Sequence, residues 1–270
     1  MSQFKSTTDL DLIQKDEVLF IYLNRPEAMN AFSDEMINSL VDALERAEKD
    51  KSVRVSVISG RGKAFCAGGD LKAMEEKSGM FAGDSAELKK RYEEGIQRIP
   101  LTIESCQKPI IAMVNGAAIG AGLDLACMCD LRVGSTFSKY GETFAKLALV
   151  PGDGGSYFLQ RVVGFAKAME MTLTGRVYDS NEALSMGLIN KLSTPETIES
   201  DVADFINAIL LTAPQAVSMG KEALKRAYHD EVPKMLDMLS TFQGQTQRTK
   251  DHFEAIRAFR EKRKPQWIGE

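Results

Sequence analysis

Residues 108–130 read KPIIAMVNGAAIGAGLDLACMCD, and the fold turns on how this stretch changes character along its length. Ile110 to Val114 is a continuous apolar, β-favouring run, the pattern of a buried strand. Asn115-Gly116 signals a turn, and a loop carrying Gly120 and Gly122 follows. From Ala121 the pattern is helical, with Leu123, Ala126 and Cys127 at helix spacing and Asp124 in the first turn. A strand that enters a helix through small residues leaves backbone N–H groups uncovered at the helix N-terminus. Such an end attracts negative charge, including charge that develops during a reaction. The stretch therefore predicts an oxyanion-binding turn. A dinucleotide fingerprint is excluded, because Leu125 stands where its third Gly or Ala belongs. No G-x-x-x-x-G-K-[ST] loop occurs either.

A second turn of the same kind lies upstream in KAFCAGGDL, residues 63–71. The β-rich run Val53 to Ser59 ends at Gly60-Arg61-Gly62, and the turn Phe65 to Asp70 leads into another helical pattern. Two strand–turn–helix units with small residues at the bend can aim two N–H groups at one oxygen. Together, FCAGGD and NGAAIGAGLDLACMCD resemble the crotonase superfamily, whose best-known members are enoyl-CoA hydratases and isomerases. The likeness continues, in the family's order, through LNRPEAMNAF (23–32), LVPGDGG (149–155), LTGRVYDSNEALSMGLIN (173–190) and AFREKRKPQW (258–267).

The resemblance implies a fold and a site. The fold is α/β, a spiral of β-β-α turns followed by a C-terminal helical trimerisation region, with residues 1–194 as spiral core and 195–270 as helical region. The family's two amide donors, which hold a thioester oxygen and stabilise an enolate, fall at Gly69 and Ala121. The acyl-CoA is the substrate and no further cofactor or metal is implied. Ala28, Ala67, Gly68, Asp70 and Phe144 match substrate-contacting positions. Lys262, in a basic cluster with Arg263 and Lys264, matches a contact to the CoA nucleotide. Asp124 matches the first catalytic carboxylate. The second is where this chain departs: counting back from Pro151 places Phe144 where hydratases carry a glutamate, and phenylalanine moves no proton. Glu142 and Asp153 flank that position. Asp153, in the glycine-rich loop Pro151 to Gly155, is the better substitute, because such a loop lets backbone approach a ligand. Hydration needs proton management at two carbons, whereas moving a double bond needs one base. The residues therefore lean towards isomerisation. The opposing expectation is a non-catalytic crotonase-fold protein that binds CoA thioesters or acts as a scaffold.

The whole chain sets bounds on these readings. Its 270 residues can bury a large core, and a formal net charge of −4 gives no basic field for nucleic acid. Four cysteines without a second pair or a histidine cluster fit neither a disulfide framework nor a zinc site, and read as buried reduced thiols. His229 and His252 lie in the polar last third, away from both turns, so a Ser-His-Asp or Cys-His mechanism has no support. MSQFKSTTDLDL lacks the apolar segment of a signal peptide and the longest apolar stretch is too short to span a membrane, so the expected location is cytoplasmic.

Taken in order, residues 10–24 read as two short strands, and Ser33 with Glu35 opens a helix ending near Lys49. Lys77 to Ser85, with Gly79 and Gly83, reads as a surface loop or as a lid over an acyl pocket, and a charged helix is expected at 86–105. Short strands near 130–135 and 137–140, a helical piece at 142–148, helices to about 186 and a strand near 188–192 complete the core. Beyond Pro195 the pattern is helical, divided by Pro214 and Pro233. Its apolar stripes (Phe205, Ile209, Leu210; Leu236, Leu239, Phe242) predict a homotrimer or a dimer of trimers.

Overall fold

The computed structural model describes residues 4–270. The chain divides into two compact units: one runs to Cys106 and resumes over Ile110–Val202, the other comprises Gln107–Pro109 and Ala203–Glu270.

The first unit is built on β1 (Leu10–Lys15), β2 (Val18–Leu23), β3 (Val55–Gly60), β4 (Ala64–Cys66), β5 (Ile110–Val114), β6 (Ala117–Ile119), β7 (Leu131–Ser135), β8 (Lys139–Gly141), β9 (Val177–Asp179) and β10 (Lys191–Ser193). One sheet has the order β1-β2-β3-β5-β7-β10; the second has the order β4-β6-β8-β9. The β1–β2 hairpin is antiparallel and turns through Asp16, whose φ is 49°. From β2 to β10 every pairing of the larger sheet is parallel. A parallel sheet covered on both faces has interior strands that are apolar throughout rather than alternating. Every residue of β3 and of β5 is accordingly buried.

Each pair β3–β4, β5–β6 and β7–β8 sends its first strand to the large sheet and its second to the small one. This is the β-β-α spiral that the resemblance implied. The helices between are α1 (Asp34–Lys49), α2 (Leu71–Glu76), α3 (Ser85–Glu94), α4 (Arg98–Ser105), α5 (Ala121–Met128), α6 (Gly155–Val163), α7 (Phe165–Thr174) and α8 (Ser180–Ser185). Helix α1 begins where expected, with the Ser33 hydroxyl accepting from the Met36 N–H, and buries Met36, Ile37, Leu40, Val41 and Leu44.

Several boundaries differ from the sequence reading. The expected helix at 86–105 is two helices, because Gly95 takes φ −111° and ψ −111° and breaks the ladder before α4. The stretch 142–148 forms only a 3-10 turn, Phe144–Leu147. Strands β4, β6 and β9 are three residues each, too short for a period to register, and were read as turn, loop and helix.

The second unit is helical, with the last part of α9 (Ile198–Leu210), then α10 (Pro214–Arg226), α11 (Val232–Thr246) and α12 (Lys250–Glu261). Buried Asp251, in the first turn of α12, accepts from the N–H groups of Ile268 and Gly269 and so ties the chain end back onto that helix. No single helix among the described residues is long and apolar enough to cross a membrane.

The two functional turns are pressed together by missing side chains. A methyl group on Gly122 would collide with the Cys66 carbonyl oxygen. One on Gly68 (φ +87°) would stand 2.6 Å from the Ile119 carbonyl oxygen and 3.2 Å from the Ala121 nitrogen. Gly122→Ala is therefore expected to cost at least ~2 kcal/mol, since backbone, unlike a side-chain tip, cannot move aside. Gly220→Ala, inside α10 where an added methyl meets nothing, should instead stabilise by ~0.5–1 kcal/mol. Urea unfolding midpoints of the two variants, displaced in opposite directions, check the assignment.

Candidate active site

Both turns leave the carboxyl ends of short strands, β4 before α2 and β6 before α5, and both open on one cavity of about 280 Å³. Gly69 and Ala121 line it together with Ala67. Ala121 is the first residue of α5, so its N–H has no helical acceptor, and neither it nor the Gly69 N–H donates to any described protein group. The neighbouring amides are engaged: Ala67 N–H donates to the Met29 carbonyl, Gly120 N–H to the Gly141 carbonyl, and Phe32 N–H to the Gly68 carbonyl. Gly69 and Ala121 thus bring two amides without a protein acceptor, on abutting turns, to the lining of one cavity.

The rest of the wall is apolar: Leu71, Met74, Met80, Phe81, Ile96 and Ile119, then Phe144, Leu147 and Leu149. The 3-10 turn Gly79–Phe81 brings Met80 and Phe81 here, so this part of the Lys77 to Ser85 segment forms cavity wall. A methyl on Gly69 would collide with the Met74 Cε and meet the Phe81 ring at 3.4 Å. The Phe144 ring lies beside Gly120, 3.7 Å from where a side-chain carbon there would sit. Thr143, Lys146, Tyr92 and Asp153 supply the polar groups of the lining.

The carboxyl groups are arranged differently from the sequence expectation. Asp153 lines the cavity; Asp124 and Glu142 do not. Asp124, on the inward side of α5, is fully buried with its carboxyl packed on Gly155, where any side chain would displace it. Glu142, directly after β8, is fully buried as well. No N–H, hydroxyl or guanidinium reaches the oxygens of Asp124 or Glu142. The buried Arg132 guanidinium is occupied instead by the carbonyls of Leu188, Ala126, Cys129 and Asp130. The ionisable groups that act most on the Asp124 carboxyl are the carboxyls of Asp153 and Glu142. Two carboxyls can hydrogen bond only if one holds a proton.

Burial, then the charges of Asp153 and Glu142, push Asp124 well above the usual carboxylate range, so it is the proton-holding member. Burial raises Asp153 too, against the opposing effect of the neighbouring Asp124 carboxyl. Burial raises Glu142 to about 7, opposed by its own hydrogen bond with Asp124 and reinforced by the Asp153 charge. Among the described residues no group of three or more His, Cys, Asp or Glu is disposed to hold a metal ion. All four cysteines are buried; burial pushes the Cys66 and Cys127 thiols to about 12.

The remaining sequence candidates fall outside the lining. Gly68 provides the close approach of the two turns. Asp70 caps α2, accepting from the N–H groups of Lys72 and Ala73, and pairs with Arg25 at 3.3 Å. Those bonds, the Ala73 N–H first, hold its carboxyl below the ordinary range. Ala28 sits in the 3-10 turn Pro26–Ala28. Lys262 belongs to the second unit, where it ends α12 in the left-handed conformation (φ 54°). The sequence reading overlooked Tyr92 and the Met74, Met80 and Phe81 wall. Leu88 and Tyr92, four apart on an otherwise charged helix, were the available signal for its inward face.

Comparison with known proteins accords with this geometry. Residues 14–270 match the enoyl-CoA hydratase/isomerase family. A crotonyl-CoA hydratase from Syntrophomonas wolfei is 33% identical over 96% of this chain and 97% of its own. A 1,2-epoxyphenylacetyl-CoA isomerase from Escherichia coli is 33% identical over 93% of this chain and 95% of its own. The crystal structure of an enoyl-CoA hydratase from Bacillus anthracis superimposes with a TM-score of 0.91 at 30% identity, covering 97% of this chain and 100% of that one. The chain belongs to the enoyl-CoA hydratase/isomerase family of the crotonase superfamily. It is an enzyme of that family.

The buried carboxyls carry a pH signature. Glu142 has a folded-state pKa above its unfolded value, so the folded state binds more protons between about 4.5 and about 7. Stability then falls as pH rises through that window, by at most about 3 kcal/mol from this group. The groups facing it are Asp124 and Cys127 of α5 and Asp153 of the loop before α6. Glu142→Gln, which keeps the shape and removes the charge, should match wild type in thermal midpoint near pH 4.5 and exceed it above pH 7. Equal midpoints at pH 8 would mean that Glu142 is not under strain.

Proposed function

We propose that this enzyme moves a double bond within an acyl-CoA thioester, with Asp153 as its proton carrier. The observation that carries this reading is that Asp153 alone among carboxylates lines the cavity, while Phe144 fills the place where the resemblance expects a hydratase glutamate. Relatives of both kinds stand at 33% identity, so overall similarity does not choose between hydration and isomerisation. The residues do.

In this reading the acyl group occupies the apolar cavity and its thioester oxygen accepts from the Gly69 and Ala121 N–H groups. The Asp153 carboxylate takes a proton from an acyl carbon. The electron pair of that C–H bond moves towards the thioester oxygen, which becomes an enolate held by the two amides. The carboxylic acid then returns the same proton to a different carbon, and the π bond is left in its new position. No atom is gained or lost. Each amide donor contributes on the order of 3 kcal/mol to such a transition state. Asp124 keeps its own proton, and its neutral carboxyl next to Asp153 opposes the rise that burial causes there, which favours the ionised form needed for the first step. The apolar ring of Phe144 excludes water from the enolate.

The test is to incubate the enzyme with 2-enoyl- and 3-enoyl-CoA thioesters and weigh the products. Isomerisation leaves the mass unchanged; gain of one water as the main reaction would overturn the assignment. Asp153→Asn should lower kcat by at least ~100-fold with little change in thioester affinity, because the base acts on a proton in flight. Phe144→Glu should raise crotonyl-CoA hydration at least ~10-fold, by supplying a second proton carrier. We further propose self-association through the helices after Pro195, where Leu236 is 60% exposed and Phe259 86% exposed. Sedimentation velocity should give a trimer or its double; a monomer at micromolar concentration would exclude it.

A further inference from the structure

Helix α3 is charged and exposed over most of its surface, yet it delivers one aromatic side chain to the cavity. Tyr92 lines the wall beside Asp153, and its ring lies against Gly152, with a Cβ there standing 3.0 Å from the Tyr92 Cε1. The placement is clamped. Gln97 donates its backbone N–H to the Tyr92 carbonyl at 3.0 Å and its side-chain Nε2–H to the Gly152 carbonyl at 2.7 Å. One residue thus couples the end of α3 to the loop that bears Asp153. The Tyr92 hydroxyl forms no hydrogen bond with any described protein group. Burial and the neighbouring Asp153 charge raise its pKa, so it stays a protonated donor at neutral pH.

A half-buried phenol usually finds an acceptor. The hydrocarbon wall offers none, and the Asp153 carboxyl beside it takes no hydrogen bond from this hydroxyl. The other cavity hydroxyl, that of Thr143, lies towards Gly120 and the amide turn, 3.9 Å from a Cβ built there. A wholly hydrocarbon acyl group would leave the Tyr92 donor facing CH groups, whereas an oxygen on that group would satisfy it. We propose that Tyr92 is a specificity-determining residue that donates a hydrogen bond to an oxygen carried by the acyl group, beyond the thioester carbonyl. The preferred substrates are then oxygen-bearing acyl-CoA thioesters. This inference rests on the reading above that the cavity holds the acyl group of a CoA thioester.

The test uses saturated thioesters, which contain no double bond to move, so that binding alone is read. Pentanoyl-CoA is compared by calorimetric titration with its oxa analogues ethoxyacetyl-CoA and 3-methoxypropanoyl-CoA, and with 4-oxopentanoyl-CoA. The intact protein and Tyr92→Phe are titrated in parallel. At least one oxygenated thioester should bind wild type about tenfold more tightly than pentanoyl-CoA, the size of one neutral hydrogen bond. That advantage should vanish in Tyr92→Phe while pentanoyl-CoA binding stays within about twofold, which also shows the variant folded. Equal binding of all four by wild type, or an advantage that survives in Tyr92→Phe, overturns the inference and leaves the Asp153 reading intact. No binding of any thioester overturns both.

Discussion

The site depends on a backbone approach that leaves no room for a side chain. The first turn of α5 rests on the end of β4, with Gly122 against the Cys66 carbonyl and Gly68 against Ile119 and the Ala121 amide. Short β4 and β6 pair in parallel, Ala64 with Ala117 and Cys66 with Ala118, which sets the height at which both turns leave the small sheet. Free amides at Gly69 and Ala121 follow from this packing, because a chain held so tightly cannot fold back to satisfy them. Fixed dipoles of this kind pay no reorganisation cost when charge develops.

Against that rigid floor stands a layer of carboxyls without a counter-cation. Burying a charge is costly unless it is paired, and burial here pushes Asp124 towards its neutral form. Asp124 and Glu142 are not part of the cavity lining, whereas Asp153 is. The arrangement brings one buried carboxyl, that of Asp153, to the cavity wall without placing a second in the same space. It also makes Gly155 the hinge of the design, since any side chain there would displace the Asp124 carboxyl.

Much of the first unit was legible in the sequence for physical reasons. Continuous apolar runs such as Ile110 to Val114 report burial on both faces, and Ser33 ahead of an amphipathic stretch marks a helix start. The three-residue strands β4, β6 and β9 were not legible, because segments of that length are too short to show a period. The two turns could be named from their glycines, and Asp153 from its loop. That Asp124 would lie behind Asp153 could not, since depth below a cavity surface depends on how α5 packs against α6. Tyr92 was hidden for the opposite reason: its helix reads as a solvated surface, and only the Gln97 clamp, formed across 55 residues of sequence to Gly152, fixes it at the site.

Cys66 sits at the meeting point of the two turns, its thiol donating to the Asn30 carbonyl at 3.0 Å and accepting from the Gly68 N–H at 3.4 Å. With its pKa at about 12, this sulfur carries almost no thiolate at neutral pH, and thiolate is the form that oxidants and electrophiles attack. This fully buried sulfur is thereby also chemically quiet. The geometry of the amide floor is indifferent to the redox poise around it, and alkylating reagents should leave it untouched so long as the fold is closed.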